Sequence, residues 1–120
     1  PGFVVPEGYT RELAKQSVGT GWHRLIDALF EYMDLNPRAT SKVIQVKEKW
    51  GTLTIYVSGD EYFHGICQGL EMASSRICEK CGARGKTRKN RSYILTLCDV
   101  CNQIAHPFRE DLHAHHPDPQ

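Results

Sequence analysis

The chain has 120 residues and a formal net charge of +1, and 40% of its residues are hydrophobic. This length fits one small domain, or one small domain with an extension that a bound metal ion stabilises. No apolar run approaches the ~20 residues that a membrane-spanning helix needs. No secretory signal opens the sequence, so we expect a cytoplasmic protein whose cysteines stay reduced.

Two helices are predicted in the first third of the chain. Thr10 can cap a short helix over residues 11–17. Apolar residues then recur with helical spacing from Trp22 to Met33, and Asn36-Pro37 ends this run. The second helix therefore has one continuous apolar stripe.

A β-hairpin is predicted over residues 43–57, with its turn near Trp50-Gly51-Thr52. Alternation places Ile44, Val46 and Trp50 on the buried face. Glu48 falls on the same face, where a carboxylate needs a partner. We expect a bulge near the turn to move it to solvent.

The second half of the chain begins with the capping-box spacing of Ser58-Gly59-Asp60-Glu61. It opens a predicted helix whose apolar face extends to Ile77 and which leads directly into Cys78. A strand over residues 93–97 and a helix from Asp99 follow. The order predicts the α+β class, with helices packed on a β-hairpin and followed by a treble-clef or zinc-ribbon-like module. We divide the chain into a body (1–75), a zinc module (76–112) and a flexible His/Pro tail (113–120).

The most specific motif is C-x2-C-x16-C-x2-C, formed by Cys78, Cys81, Cys98 and Cys101. Two such Cys pairs can complete the tetrahedral four-sulfur shell that zinc takes in structural sites. Gly82 suits a knuckle turn, because such a turn needs a residue that tolerates positive φ. Two disulfides or four free thiols are the alternatives. We predict one Zn²⁺ ion. Its role should be structural, because a closed four-thiolate shell leaves no coordination position for water.

Basic charge is concentrated on this module. Residues 76–91 carry seven Lys or Arg and one Glu, a net charge of +6, whereas the rest of the chain carries −5. The predicted partner-binding residues are Arg84, Lys86, Arg88, Lys89, Arg91 and the adjacent Tyr93. They suit phosphates, with Tyr93 stacking on a base, or an acidic protein surface. A solvated loop is the third interpretation. A protein partner is preferred over DNA or RNA, because the acidic body would repel an extended duplex.

No catalytic residue is predicted. A His-Asn-His nuclease also uses Cys-x-x-Cys pairs, but it needs a catalytic His between them, and residues 82–97 contain no His, Asp or Glu. His64 and Cys67 are three residues apart on a helix, yet Cys67 falls in the apolar stripe, where a thiol is usually inert. We therefore expect no enzyme activity, with nuclease as a remote alternative.

Three stretches together carry a resemblance: residues 21–26 around Trp22, residues 46–57 around Trp50-Gly51, and residues 75–82 with Leu97-Cys98-Asp99. Over about residues 21–105, the chain resembles small bacterial and phage-associated zinc-knuckle proteins, some of which have His at the position of Cys101. The resemblance implies a cytosolic metal-binding protein and no established activity. We expect a regulatory or inhibitory protein that binds a macromolecule, such as a phage-encoded inhibitor of a host protein. The alternative is a nucleic-acid-binding zinc module.

Overall fold

The computed structural model describes residues 8–37 and 39–104. The tail predicted over residues 113–120 lies outside these ranges. The helices are α1 (Arg11–Gln16), α2 (His23–Leu35) and α3 (Glu61–Ser74), with a 3₁₀ turn at Thr20–Trp22 before α2. The strands are β1 (Lys42–Lys49), β2 (Thr52–Ser58), β3 (Lys86–Arg88) and β4 (Leu95–Leu97), and residues 99–104 are also helical. The predicted α+β class is confirmed.

The helix starts follow from side-chain caps. Thr10 Oγ1 accepts the Leu13 N–H at 3.1 Å, as the sequence predicted. The predicted capping box at the start of α3 is wrong, because Ser58 is the last residue of β2. Asp60 is the N-cap instead, and its Oδ1 accepts the Phe63 N–H at 2.9 Å.

Helix α3 also ends earlier than predicted. It stops at Ser74, and Ile77 forms an antiparallel bridge with Arg84. A bridge needs extended backbone, so the helix cannot continue into Cys78. Ser74 is fully buried at this end, where its hydroxyl donates to Glu71 O at 2.6 Å and accepts the Leu53 N–H at 2.9 Å. That hydroxyl connects the end of α3 to β2.

The β1–β2 hairpin contains a bulge that the alternation did not reveal. Val43 pairs with Val57 and Val46 pairs with Ile55, but the register shifts between Val43 and Gln45. The extra residue puts both Val43 and Val46 in the core, each 1% exposed, and leaves Ile44 only partly buried. The prediction that Ile44 is the inward residue is therefore wrong.

The turn of this hairpin corrects two further predictions. Trp50 was expected on the buried face, but it occupies the turn and is 70% exposed. The bulge expected near the turn lies at the far end of β1, so Glu48 keeps the side of Val46. Glu48 is partly buried there, and its Oε2 accepts the Gly51 N–H at 2.7 Å. A backbone donor inside the turn thus supplies the partner that this carboxylate needs.

The core lies between the helices and one face of the β1–β2 hairpin. Helix α3 packs on β2, α1 packs on β1, and α2 contacts both other helices. The most deeply buried large side chains of this core are Trp22, Ile26, Leu29, Val43, Val46, Leu53 and Phe63. Burial of each such side chain stabilises the fold by about 1.5–3 kcal/mol. Within residues 8–37 and 39–104, no helix is long and apolar enough to span a bilayer.

Candidate metal centre and adjacent cationic cavity

The four predicted ligands come together. The sulfur atoms of Cys78, Cys81, Cys98 and Cys101 all lie within 4.8 Å of one another. Cys81 Sγ and Cys98 Sγ are 3.7 Å apart, too far for a disulfide, whose S–S bond is about 2.05 Å. A regular tetrahedron with Zn–S bonds of about 2.3 Å has edges of about 3.8 Å. The cluster therefore has the size and donor set to hold one metal ion.

A tight turn presents the first Cys pair. The Gly82 N–H donates to Cys78 O at 2.9 Å, and the Ala83 N–H points to Cys81 Sγ at 3.5 Å. Gly82 has φ of 86°, a conformation that costs glycine little and other residues much more. The prediction that this glycine adopts positive φ is confirmed.

The second Cys pair lies at the start of a helix, as predicted. Cys98 precedes helical residues 99–104, and its carbonyl accepts the Asn102 N–H at 2.9 Å. Its Sγ accepts the Cys101 N–H at 3.3 Å. The Cys98 side chain thus caps this helix.

The thiols differ in acidity. Burial acts to raise the pKa of Cys78, but backbone N–H groups of Cys98, Cys81 and Lys80 outweigh it and lower that pKa to about 6. Desolvation and hydrogen bonds from the other cysteines raise the pKa of Cys101 to about 12. A metal needs thiolates as ligands, so its binding must release protons from this cluster.

Glu79, between the first two cysteines, is a structural residue that the sequence did not single out. It is buried, and its Oε2 accepts the Thr96 N–H at 2.8 Å, while its own N–H donates to Thr96 O at 3.0 Å. Burial raises the pKa of its carboxyl group. These two bonds fix the first Cys pair to β4, the strand that leads into Cys98.

The candidate metal centre is packed against α2 and the turn before it. The Gly21 N–H donates to Glu79 O at 2.9 Å, and Arg24 Nη2 donates to Gly82 O at 2.8 Å. A Cβ atom on Gly21 would lie 1.9 Å from Cys78 O and 2.6 Å from Gly82 N. Only glycine allows the backbones to approach this closely.

The predicted partner-binding cations do not share one environment. Arg84, Lys86 and Lys89 are exposed. Arg88 donates to Leu97 O at 2.9 and 3.1 Å and to Asp99 Oδ1 at 2.8 Å, so its guanidinium is engaged within the module. Arg91 is 2% exposed, with Nη1 3.4 Å from Asn102 Oδ1. Arg88 and Arg91 therefore differ from the three exposed cations, because they fold back onto residues around the second Cys pair.

Three exposed cations share one cavity of about 390 Å³. It is lined by Arg76, Arg84, Gly85, Lys86, Arg88 and Asp99. Asp99 is the only carboxylate among these residues, and it is paired with Arg88. Arg76, Arg84 and Lys86 leave the cavity with an excess of positive charge.

Tyr93 is 61% exposed and does not line this cavity. It lines a second groove, together with Lys89 and Trp50.

The fifth cysteine, Cys67, lies apart from the cluster in the core and is 3% exposed. Desolvation, with a smaller contribution from Glu71, raises its pKa to about 12. A thiol in this state is a poor nucleophile.

Comparisons with known proteins give no relative. No family model, no curated protein and no solved structure matches this chain. The resemblance to bacterial and phage-associated zinc-knuckle proteins therefore stays a prediction.

Proposed function

We propose that one Zn²⁺ ion is held by Cys78, Cys81, Cys98 and Cys101 in a structural role. The support is the four-sulfur donor set and the 3.7 Å separation of two of its sulfur atoms. A Cys turn, the β3–β4 hairpin and a helix that starts at the second pair follow in the order of a treble clef. Four thiolates would fill the coordination shell, so the ion's contribution is to fold stability.

We propose further that the zinc module binds nucleic acid. The observation that carries this proposal is the cavity that gathers Arg76, Arg84 and Lys86 around one carboxylate already paired with Arg88. Clusters of Lys and Arg neutralise phosphate groups. The nucleic acid then releases its condensed counterions, and this release favours binding. Arginine also forms bidentate hydrogen bonds with phosphate oxygens.

The charge of the remaining chain limits the kind of nucleic acid. Outside residues 76–91 the net charge is −5, and a long duplex lying across the molecule would be repelled by this part. A short, structured or single-stranded segment can contact the module alone. We propose a partner of this kind.

A protein partner is the second candidate function, and one observation favours it. Helix α3 exposes Tyr62 (80%) and Met72 (74%), and its Ile66 is 37% exposed. Apolar side chains on an exposed helix can be buried by another protein. The sequence led us to expect a regulatory or inhibitory protein, such as a phage-encoded inhibitor. In that case this exposed surface of α3 would bind the protein partner.

The test compares two double charge variants. Arg84→Gln/Lys86→Gln removes two cations of the cavity, and Lys42→Gln/Lys47→Gln removes two cations of the body as the matched control. Binding of a labelled single-stranded oligonucleotide is measured by anisotropy between about 0.05 and 0.2 M salt. The cavity variant should bind roughly tenfold more weakly at the lower salt concentration, and its log–log salt slope should be about 1.4 smaller.

The control should keep the affinity and slope of the unmodified protein. Equal losses in both variants would show that net charge alone is responsible and would contradict a site at the cavity. Absence of oligonucleotide binding by the unmodified protein would reject the nucleic-acid function and leave the protein partner as the candidate.

A further inference from the structure

A second groove, of about 630 Å³, lies between the tip of the β1–β2 hairpin and the segment that enters β4. Two exposed aromatic side chains line it, Trp50 from the turn and Tyr93 from residues 89–95. Two lysines also line the groove. Lys49 directly precedes Trp50 in the chain, and Lys89 belongs to the same segment as Tyr93. The groove thus combines flat aromatic surfaces with exposed cations.

Trp50 occupies its position at a cost to folding. Its φ is 57°, a left-handed conformation that bulky side chains rarely adopt. It also leaves 70% of its surface in water, so its indole contributes little to the core. Residues held in such conformations are concentrated at functional sites.

The turn around Trp50 is nevertheless well fixed. Its next residue, Gly51, donates to Glu48 Oε2 at 2.7 Å and accepts the Thr96 hydroxyl at 2.6 Å. Thr96 also bonds Thr87 through its hydroxyl, at 2.9 Å. The aromatic side chain therefore extends from a turn that is anchored on both hairpins, and less ordering is needed when a ligand binds.

The charge of the groove indicates the ligand. Of its nine lining residues, Lys49, Lys89 and Arg91 are cationic and Glu48 alone is acidic. The Glu48 carboxylate already accepts the Gly51 N–H. Arg91 is buried, so Lys49 and Lys89 offer the accessible charges. A ligand with both planar apolar rings and negative charge matches these groups.

We propose that this groove binds unpaired nucleotides of a single strand, with a base stacked on Trp50 and phosphates next to Lys49 and Lys89. Tyr93 supplies a second aromatic surface in the same groove. Aromatic stacking and cations along the backbone are how proteins hold single strands without reading their sequence. The proposal rests on the nucleic-acid function above and names its substrate class.

Lys89 connects this groove with the cationic cavity. It directly follows Arg88, which lines the cavity, at the end of β3. Successive residues of a strand are about 3.3 Å apart. The groove and the cavity are thus lined by consecutive residues of the chain.

The test uses a labelled oligothymidylate of about ten residues and an abasic oligodeoxyribose phosphate of equal length. The full-length protein should bind the oligothymidylate more tightly than the abasic strand. Trp50→Ala should weaken oligothymidylate binding roughly 5- to 150-fold, the range found for loss of one stacked base. It should leave abasic binding unchanged, so the preference for bases disappears. Tyr62→Ala removes an equally exposed aromatic side chain from α3 and should have no effect.

Fluorescence gives an independent readout. The chain has two tryptophans, Trp22 in the core and Trp50 in the groove. Stacking should quench the exposed tryptophan, and the quenching should be lost in Trp50→Ala. Lys49→Gln/Lys89→Gln should weaken binding of both strands and reduce the salt slope by about 1.4.

The outcomes distinguish failure of this groove from failure of the nucleic-acid function as a whole. If oligothymidylate binds but Trp50→Ala changes neither affinity nor base preference, the groove is not the site, while the nucleic-acid function stands. If neither strand binds and poly-glutamate quenches Trp50 fluorescence instead, both proposals fail, and an acidic protein becomes the favoured partner. If neither strand binds and poly-glutamate has no effect, both proposals fail as well.

Discussion

The indole N–H of Trp22 donates a 2.8 Å hydrogen bond to the carbonyl oxygen of Ile77, the residue immediately before Cys78. Trp22 is fully buried, and a buried indole N–H left without an acceptor would destabilise the fold. The largest side chain of the core therefore depends on the backbone at the candidate metal centre. Stability of the body and order of the Cys cluster are coupled through this bond.

Removal of the metal should consequently unfold the chain in one transition. A division into a body and a zinc module would imply that the body survives without the metal, but the bonds of Trp22, Gly21 and Arg24 to residues 77–82 lead us to expect joint unfolding. Cys98→Ser or a chelator should abolish metal binding and lower the melting temperature, as seen by Trp22 fluorescence in a Trp50→Ala background and by circular dichroism alike. Acidification should act in the same direction, since protons compete with the metal for thiolates.

The control for this experiment is Cys67→Ala. It removes the cysteine that lies outside the cluster, so about one metal ion per chain should remain by elemental analysis. An unchanged Trp22 signal in metal-free protein would instead show that the body folds independently.

Gly21→Ala should destabilise the protein and weaken metal binding together. The new methyl group would lie 1.9 Å from Cys78 O, and backbone atoms on both sides cannot move without opening the knuckle. We expect a loss of about 1–3 kcal/mol in the free energy of unfolding, measured with urea. Gly65→Ala is the matched control, because nothing lies within 4 Å of its Cβ on α3. It should stabilise by up to about 1 kcal/mol, and equal losses at both positions would refute the close-packing argument.

Arg91→Ala should lower the free energy of unfolding by about 2 kcal/mol. Its side chain is among the largest that are fully buried, so truncation leaves a cavity and deprives Asn102 of a donor. Lys89→Ala, two residues away and exposed, should change the free energy by less than about 0.5 kcal/mol. Urea denaturation of both variants measures the difference, and an equally mild effect at Arg91 would contradict a structural role.

Ionisation of Cys67 should lower the free energy of unfolding at alkaline pH. Burial raises its pKa from 9.0 to about 12, so the folded state keeps the thiol protonated while the unfolded state ionises it. The contribution is fully present below pH 9.0 and is lost as the pH rises from 9.0 toward about 12. Urea titrations across this range should show a steeper loss of stability in the unmodified protein than in Cys67→Ala. Parallel losses would mean that this thiol ionises equally in both states.

Periodicity and spacing predicted a large part of this architecture. The apolar stripe of α2 and the hairpin pattern of β1–β2 are local signals, because each depends on residues a few positions apart. The Cys spacing identified a four-sulfur cluster because the x2 intervals and the knuckle glycine report local geometry. These features need no knowledge of how distant segments pack.

The errors arose where distant segments decide the structure. Nothing near Val43 in sequence shows the bulge, which follows from packing on the helices. Arg91 is buried beside Asn102 of helical residues 99–104, against the usual exposure of arginine. Alternation put Trp50 on the buried face, although the turn predicted at Trp50-Gly51-Thr52 was the signal that Trp50 leaves the strand.

The hydroxyl of Thr96 holds the Trp50 turn, and Thr96 is two residues from Cys98. Any loosening of β4 on loss of the metal would release that turn as well. Chains that lack the proposed zinc ion would therefore carry the same side chains on a less ordered hairpin and would bind the proposed ligand more weakly. Cellular zinc supply, and not only the amount of protein, would then set how much of it is competent to bind.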